Sequence, residues 1–146
     1  DRAQSLVEGY KAKLAELTAG IDPATPLRVF VYDSGEETPF TAGAYAIPTA
    51  LIEAAGGVNI MDDLDKSWAT VGWEPVIERN PEVIVIVNYG DVTADQKIAF
   101  LEANPAFASI DAVKNDRYVV LEYVEATPGP RNIRAMEKLV AGFWGK

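Results

Sequence analysis

The stretch from Val83 to Val87 constrains the fold of this chain more than any other part of its sequence. Its five residues, VIVIV, are all apolar and β-branched, and no polar residue alternates with them. A strand with one face in solvent normally shows such alternation, so the run predicts a strand that is covered on both faces. Strands of this kind are typical of parallel sheets with helices on either side.

Helical and strand patterns alternate along the rest of the chain. Helical patterns cover Asp1 to Gly20, Ala46 to Gly56, Trp73 to Asn80, Thr93 to Leu101 and the segment after Pro130, and strand patterns cover Leu27 to Tyr32 and Tyr118 to Leu121. In the last helix, the residues expected to face the core are Ile133, Met136, Val140 and Phe143. The alternation predicts an α/β fold, a three-layer Rossmann-like lobe with a mostly parallel sheet flanked by helices and right-handed crossovers.

Local signals set several helix boundaries. Pro48 is placed in the first turn of a helix, where its missing N–H has no consequence, and Gly56-Gly57 ends that helix. Thr93 and Gln96 have the spacing of a capping box. Asn80-Pro81 ends the helix that begins near Trp73, because the residue before a proline avoids helical geometry.

Composition excludes several classes of function. The 146 residues, 49% apolar and 24% charged, are enough for one globular domain with a substantial core. A formal charge of −9 disfavours binding to phosphate backbones, so nucleic acid is not an expected partner. Without cysteine or histidine, the chain lacks disulfides, thiolate metal sites, the commonest zinc ligand set, a His-ligated haem and the histidine-dependent hydrolase triads.

Ligands of open parallel sheets gather at the carboxyl ends of the strands, so the loops after the strands are the places to inspect. The loop after the first strand is expected to run from Asp33 to about Gly43. The polar and aromatic residues in the three strand-end loops are Asp33, Ser34, Glu36, Glu37, Thr38, Phe40, Asn88, Tyr89, Asp91, Glu122, Tyr123 and Glu125. They either form a binding site or are ordinary solvated loop residues.

These loops allow two further interpretations. Glu36 and Glu37 are adjacent and point in different directions, which disfavours an acid–base pair. Asp33, at the end of a strand, resembles the phosphoacceptor of a receiver-like regulatory domain. That alternative also needs a lysine soon after a late strand, and none follows Val83 to Val87 or Tyr118 to Leu121 closely.

An ordered set of short segments resembles a known family. The segments are Arg28 to Val31, Pro39 to Gly43, Ala55 to Ile60, Val71 to Ile77, Asn80 to Ile86, and Pro130-Arg131 with the final helix. In this order and spacing they resemble the C-terminal lobe of the periplasmic binding proteins for ferric siderophores, haem and cobalamin. Members of that family have two α/β lobes joined by one long helix, and the ligand lies in the cleft between the lobes.

The resemblance implies a domain organisation, a location and a role. Residues 1–20 would be the C-terminal part of the interlobe helix and residues 21–146 the C-terminal lobe, with the N-terminal lobe absent from this chain. The protein would be the substrate-binding component of an ABC importer, not an enzyme. It would be extracytoplasmic, either periplasmic or lipid-anchored at the outer face of the cytoplasmic membrane of a bacterium.

The resemblance also implies site residues. In the family, one glutamate per lobe at the start of a helix docks into arginine pockets on the permease dimer. Glu74 matches that position, although Gly72 replaces the serine that often precedes it by two residues. The candidate ligand-binding residues are Glu36, Phe40, Trp68, Tyr89, Tyr123 and Arg131. No catalytic residue, metal ligand or intrinsic cofactor is expected, and the ligand would be a ferric siderophore, with haem and cobalamin as alternatives.

Overall fold

The computed structural model describes residues 26–35, 37–88, 93–122 and 132–144. The predicted helix at Asp1 to Gly20 and the side chains of Ile133 and Met136 lie outside what is described. The strands are β1 (Leu27–Tyr32), β2 (Phe40–Ala42), β3 (Gly57–Asn59), β4 (Trp68–Thr70), β5 (Val83–Asn88) and β6 (Tyr118–Glu122). The α-helices are α1 (Ile47–Ala54), α2 (Trp73–Arg79), α3 (Ala94–Ala103), α4 (Asp111–Lys114) and α5 (Asn132–Trp144), with a 3₁₀ turn at Pro105–Phe107.

The main sheet has four parallel strands in the order β3-β1-β5-β6. Strand β5 is an inner strand, and every residue from Val83 to Val87 is fully buried. Val83, Val85 and Val87 face one hydrophobic cluster, whereas Ile84 and Ile86 face another. The prediction of a strand covered on both faces is therefore confirmed.

Helices pack on both faces of this sheet. On one face, α1 and α5 contribute Ile52, Leu139 and Phe143 to the core. On the other face, α2, α3 and α4 contribute Val76, Leu101 and Ala112. The expected three-layer α/β lobe with a mostly parallel sheet is confirmed. Across the described ranges, no helix combines the length and apolar character that a bilayer crossing requires.

The predicted helix boundaries are also observed. Pro48 is in the first turn of α1, and Gly56 follows that helix with φ of +93°, a conformation that favours glycine. Thr93 and Gln96 form the capping box of α3 in both directions. Asn80 ends α2 in the left-handed region, and its side-chain oxygen accepts from the backbone N–H of Asp111 at the start of α4.

Three short strands lie in segments where no strand was predicted. β2 lies inside the expected loop from Asp33 to Gly43, and it pairs antiparallel with β4 in a separate two-stranded sheet. β3 begins at Gly57, directly after the helix terminator. Each of these strands has three residues. Such a strand is too short for a periodic pattern, and its pairing with distant residues has no local signal.

Candidate functional site

The carboxyl ends of the parallel strands share one edge of the main sheet. Asp33 follows β1, and Asn88 and Glu122 end the neighbouring strands β5 and β6, where they are register partners. The Asn88 side-chain amide donates to the Glu122 carboxylate at 3.1 Å, and its oxygen accepts from the backbone N–H of Ala94 at 3.0 Å. Asn88 therefore joins β5, β6 and the start of α3 at this edge.

A pair of aromatic side chains lies on the two-stranded sheet of β2 and β4, which we call the aromatic sheet. The rings of Phe40 and Trp68 stack with centroids 5.7 Å apart and an angle of 15° between their planes. Both side chains are partly buried. Of the six candidate ligand-binding residues, these two are within the described part of the chain, and the structure brings them together.

Backbone hydrogen bonds attach the aromatic sheet to the end of β1. The N–H of Asp33 donates to the carbonyl of Phe40 at 3.0 Å, and the N–H of Phe40 donates to the carbonyl of Ser34 at 2.7 Å. Phe40 thus pairs with Ser34, the second residue after the end of β1, and is held at the carboxyl edge of the main sheet.

A buried polar network fixes the aromatic sheet at the other end of β2. Asn59, which is fully buried, donates through its side-chain amide to the Ala42 carbonyl and to the Thr49 hydroxyl, both at 2.8 Å. Its side-chain oxygen accepts from the N–H of Met61 at 2.9 Å, and the Thr49 hydroxyl donates to the Gly43 carbonyl at 2.6 Å. The network joins β2, β3 and α1.

The same network explains two sequence segments on which the family resemblance rests. Pro39 to Gly43 supplies two carbonyl acceptors, and Ala55 to Ile60 supplies Asn59. Gly43 has a second constraint, because a Cβ there would overlap the carbonyl oxygen of Lys66. Only glycine fits such a close approach of two backbones.

The two tryptophans near the docking candidate have different environments. Trp73, at the start of α2, packs in an aromatic cluster with ring centroids 4.5 Å from Phe107 and 5.3 Å from Tyr32. This cluster belongs to the core on the face of the sheet that α2 and α3 cover. Trp73 therefore closes a core edge, whereas Trp68 stacks on Phe40.

Glu74 lies in the first turn of α2 and is exposed. Gly72 is the N-cap in extended geometry and has no side chain to cap the helix, so the carboxylate of Glu74 complements the positive end of the helix dipole. The far end of α2 is anchored by Arg79, which donates to both carboxylate oxygens of Asp63 at 3.0 Å and to the Ile60 carbonyl at 2.6 Å. Hydrogen bonding to Arg79 lowers the pKa of the Asp63 carboxyl.

A buried lysine contacts the main chain at the ends of β1 and β5, and the sequence interpretation missed it. Lys97, in the second turn of α3, is only 2% exposed. Its ammonium donates to the carbonyls of Asp33 and Val87, at 2.5 and 2.7 Å. Burial lowers the pKa of Lys97, and the Asp33 carboxylate opposes that shift. Lys97 follows the capping box by one residue, and nothing in that pattern distinguishes a buried lysine from an exposed one.

The remaining candidates, Glu36, Tyr89, Tyr123 and Arg131, lie outside the described residues. Among the residues that are described, no group of three or more carboxylate, histidine or cysteine side chains is arranged to hold a metal ion.

The aspartate of the receiver-like alternative is not accessible. Asp33 is 4% exposed, and one of its carboxylate oxygens accepts from the Ser34 hydroxyl at 3.0 Å. A phosphoacceptor must be reached by its phosphodonor, so this burial disfavours the receiver interpretation.

Several known proteins are similar to this chain in sequence or in structure. A vitamin B12-binding protein of Pectobacterium atrosepticum is 31% identical over 70 residues, which are 48% of this chain and 25% of that protein. The crystal structure of a periplasmic binding protein from Veillonella parvula has 33% identity and a TM-score of 0.88, over 99% of this chain and 51% of its own. An ABC-type Fe³⁺-hydroxamate transport structure from Saccharomonospora viridis shares the fold at 23% identity, with a TM-score of 0.84 over 99% of this chain and 50% of its own.

These matches span a quarter to a half of the length of the relatives. The sequence also matches the family described as periplasmic binding protein over residues 1–123, which is most of its length. The chain therefore belongs to the periplasmic binding protein family.

Proposed function

We propose that this chain is the C-terminal lobe of the substrate-binding component of an ABC importer. The whole protein would hold a ferric siderophore or a related metal chelate between this lobe and a second one, and would deliver it to the permease from outside the cytoplasmic membrane. The observation that carries the proposal is the stacked pair of Phe40 and Trp68 at the carboxyl edge of the sheet, in a chain of this family.

The chemistry of such ligands fits the residues of this lobe. A siderophore or a corrin surrounds its metal with its own donor atoms, so the protein needs to supply shape, aromatic contact and a few polar groups. Phe40 and Trp68 offer aromatic surface, and Asn88 and Glu122 offer polar atoms at the same edge of the sheet. No protein metal ligand is required, which is consistent with a sequence that has no cysteine or histidine.

The charge of the lobe favours some chelates over others. The chain carries a formal charge of −9, and Glu37 and Glu122 are exposed carboxylates near the strand ends. Like charges across a binding surface weaken association, so a neutral or cationic complex is favoured over a ferric catecholate, which is strongly anionic. Ferric hydroxamates and cobalamin are therefore preferred ligands.

Glu74 is the proposed contact with the permease. It is exposed in the first turn of α2, and the opposite end of that helix is fixed by Arg79 and Asp63. A carboxylate in this position can accept two hydrogen bonds from one guanidinium group, the geometry that makes arginine–carboxylate pairs specific.

The ligand is tested by titrating the two-lobed protein that contains this lobe with ferric hydroxamates, ferric catecholates, haem and cobalamin, followed by tryptophan fluorescence and calorimetry. We expect saturable binding of one class with a submicromolar Kd. Trp68→Ala should raise that Kd by about tenfold or more, as truncation of a central aromatic contact does.

Phe100→Leu is the matched control for this experiment. Phe100 belongs to the aromatic cluster around Trp73, away from the aromatic sheet, and the change keeps an apolar side chain. The Kd should stay unchanged in this variant. Failure of all four ligand classes to bind would contradict the proposed function, and equal binding by the Trp68→Ala variant would contradict the assigned site.

Docking is tested separately, by ligand uptake in vesicles that contain the cognate permease. Glu74→Gln should reduce uptake at limiting concentrations of binding protein and leave the ligand Kd unchanged. Glu78→Gln is the control, since Glu78 is also exposed and lies one turn further along the same helix. Equal uptake by both variants would refute the role of Glu74.

A further inference from the structure

Lys97 is a buried charge to which the proposed function gives no task. Its ammonium lies within hydrogen-bonding distance of two main-chain carbonyls, those of Asp33 and Val87. Asp33 is the first residue after β1, and Val87 is the penultimate residue of β5, so the two carbonyls belong to neighbouring parallel strands where these strands end.

Each of these carbonyls belongs to a residue that is bonded to, or adjacent in sequence to, a residue of the candidate site. The N–H of Asp33 donates to the Phe40 carbonyl, so the peptide groups on either side of the Asp33 Cα are held by Phe40 and by Lys97. Val87 precedes Asn88, whose side chain contacts Glu122 and the N–H of Ala94. A single ammonium group therefore contacts the main chain just after β1, where Phe40 is attached, and next to Asn88 at the end of β5.

The base of Lys97 is itself held firmly. The capping box of Thr93 and Gln96 fixes the first turn of α3, and the N–H of Lys97 donates to the Thr93 carbonyl at 3.0 Å. An ammonium on a fixed helix turn is a point from which the ends of two strands can be held at a constant separation. Lysine suits this task because it presents several donors in different directions at the end of a long chain.

Stability alone is a weak reason to bury this charge. Moving an ammonium group out of water is costly, and an apolar side chain of similar volume often stabilises a core as well or better. What an apolar side chain does not provide is directional hydrogen bonding to two carbonyls.

From these contacts we propose that Lys97 is the positioning residue of the ligand site, fixing the carboxyl ends of β1 and β5 relative to each other so that Phe40 and Asn88 are preorganised for the ligand. The ligand part of this inference rests on the proposed function. Preorganisation of this kind strengthens binding because the loops lose less conformational freedom when the ligand arrives.

The positioning itself is tested on this chain without any ligand, by amide hydrogen exchange of the unchanged protein and of Lys97→Met. We expect the amides of Asp33 and Phe40 to exchange about tenfold or more faster in the variant, because hydrogen bonds from a charged donor are the stronger kind. The Ile84 amide, bonded to the Arg117 carbonyl inside the main sheet, reports global unfolding, and the loop effect is measured relative to it.

Chemical rescue separates the ammonium from the bulk of the side chain. The chain has no cysteine, so Lys97→Cys introduces a unique thiol. Alkylating this variant with 2-bromoethylamine in denaturant, followed by refolding, restores an ammonium on a chain of nearly the same length. Loop exchange should return toward that of the unchanged protein after this reaction, and it should stay fast after alkylation with the uncharged reagent iodoacetamide.

The ligand readout completes the test. In the two-lobed protein, Lys97→Met should raise the Kd of the bound chelate by about tenfold, as loss of preorganisation predicts. The inference is overturned if loop exchange relative to Ile84 is unchanged in Lys97→Met, or if the variant binds the chelate as tightly as the unchanged protein. Failure of the proposed function is distinguishable, because it appears as absence of binding by the unchanged protein, whereas the exchange experiment requires no ligand.

Discussion

Replacement of Asn59 by alanine should destabilise this lobe far more than the loss of one polar side chain from the surface. Asn59 makes three hydrogen bonds inside the protein, to Ala42, Thr49 and Met61, and it is fully buried. The variant leaves the buried N–H of Met61 without its acceptor, which costs about 1 to 3 kcal/mol. The two lost donor bonds add about 1 kcal/mol each, so we expect a decrease of about 3 to 5 kcal/mol in the free energy of unfolding.

Urea denaturation, followed by circular dichroism, measures this change. For a denaturant dependence of about 2 kcal/mol per molar urea, the midpoint should fall by about 2 M. Asn115→Ala is the control, because Asn115 is exposed at the end of α4, and its effect should stay within about 0.5 kcal/mol. If Asn59→Ala changed the free energy of unfolding by no more than Asn115→Ala does, the network would not hold the aromatic sheet to the main sheet.

Three further predictions concern separate features of the packing. Gly142→Ala adds a Cβ that would overlap Cγ2 of Val119, and this overpacking should outweigh a gain of about 1 kcal/mol in helix propensity, so the variant should be less stable. Val119→Ala should then be less damaging in the Gly142→Ala background than in the unchanged protein, and additive effects in a double-mutant cycle would refute the clash. Burial first, and then two neighbouring carboxylates, raise the pKa of Tyr118 to about 12, above its unfolded value of about 10. The folded state therefore holds this proton more tightly, so stability present below about pH 10 should be lost as the pH rises toward about 12, and a loss of the same size in Tyr118→Phe would contradict this origin. Thr41→Val should be neutral or stabilising by up to about 1 kcal/mol, because the buried Thr41 hydroxyl has no hydrogen-bond partner among the described residues, and clear destabilisation on thermal unfolding would oppose this reasoning.

The main sheet could be predicted because its signals are local and strong. Val83 to Val87 has no polar alternation, and Leu27 to Tyr32 ends at a turn-forming segment, so each reads as a buried strand from its own residues alone. The capping box at Thr93 and the proline after Asn80 are also local, since the residues that interact lie within one turn of each other.

The candidate site was predicted less completely because its parts interact across long sequence distances. The aromatic sheet pairs Phe40 with Thr70, and no local pattern signals a strand of three residues. Trp68 and Trp73 are equivalent by composition, and only their partners distinguish a ring that stacks on Phe40 from a ring buried in the core. Lys97 was missed for the same reason, since its two carbonyl partners belong to other strands.

Strand β4, which carries Trp68, and the proposed docking helix α2 are consecutive in the chain, and this has a mechanical consequence. Glu74 lies six positions after Trp68, so at most about 22 Å of extended backbone joins them. The N–H of Val71 donates to the Pro39 carbonyl at 3.0 Å, which leaves little slack between β4 and α2. We expect a displacement of β4 to change the orientation of Glu74, so that under the proposed function the occupancy of the ligand site and the geometry of the docking contact would be coupled.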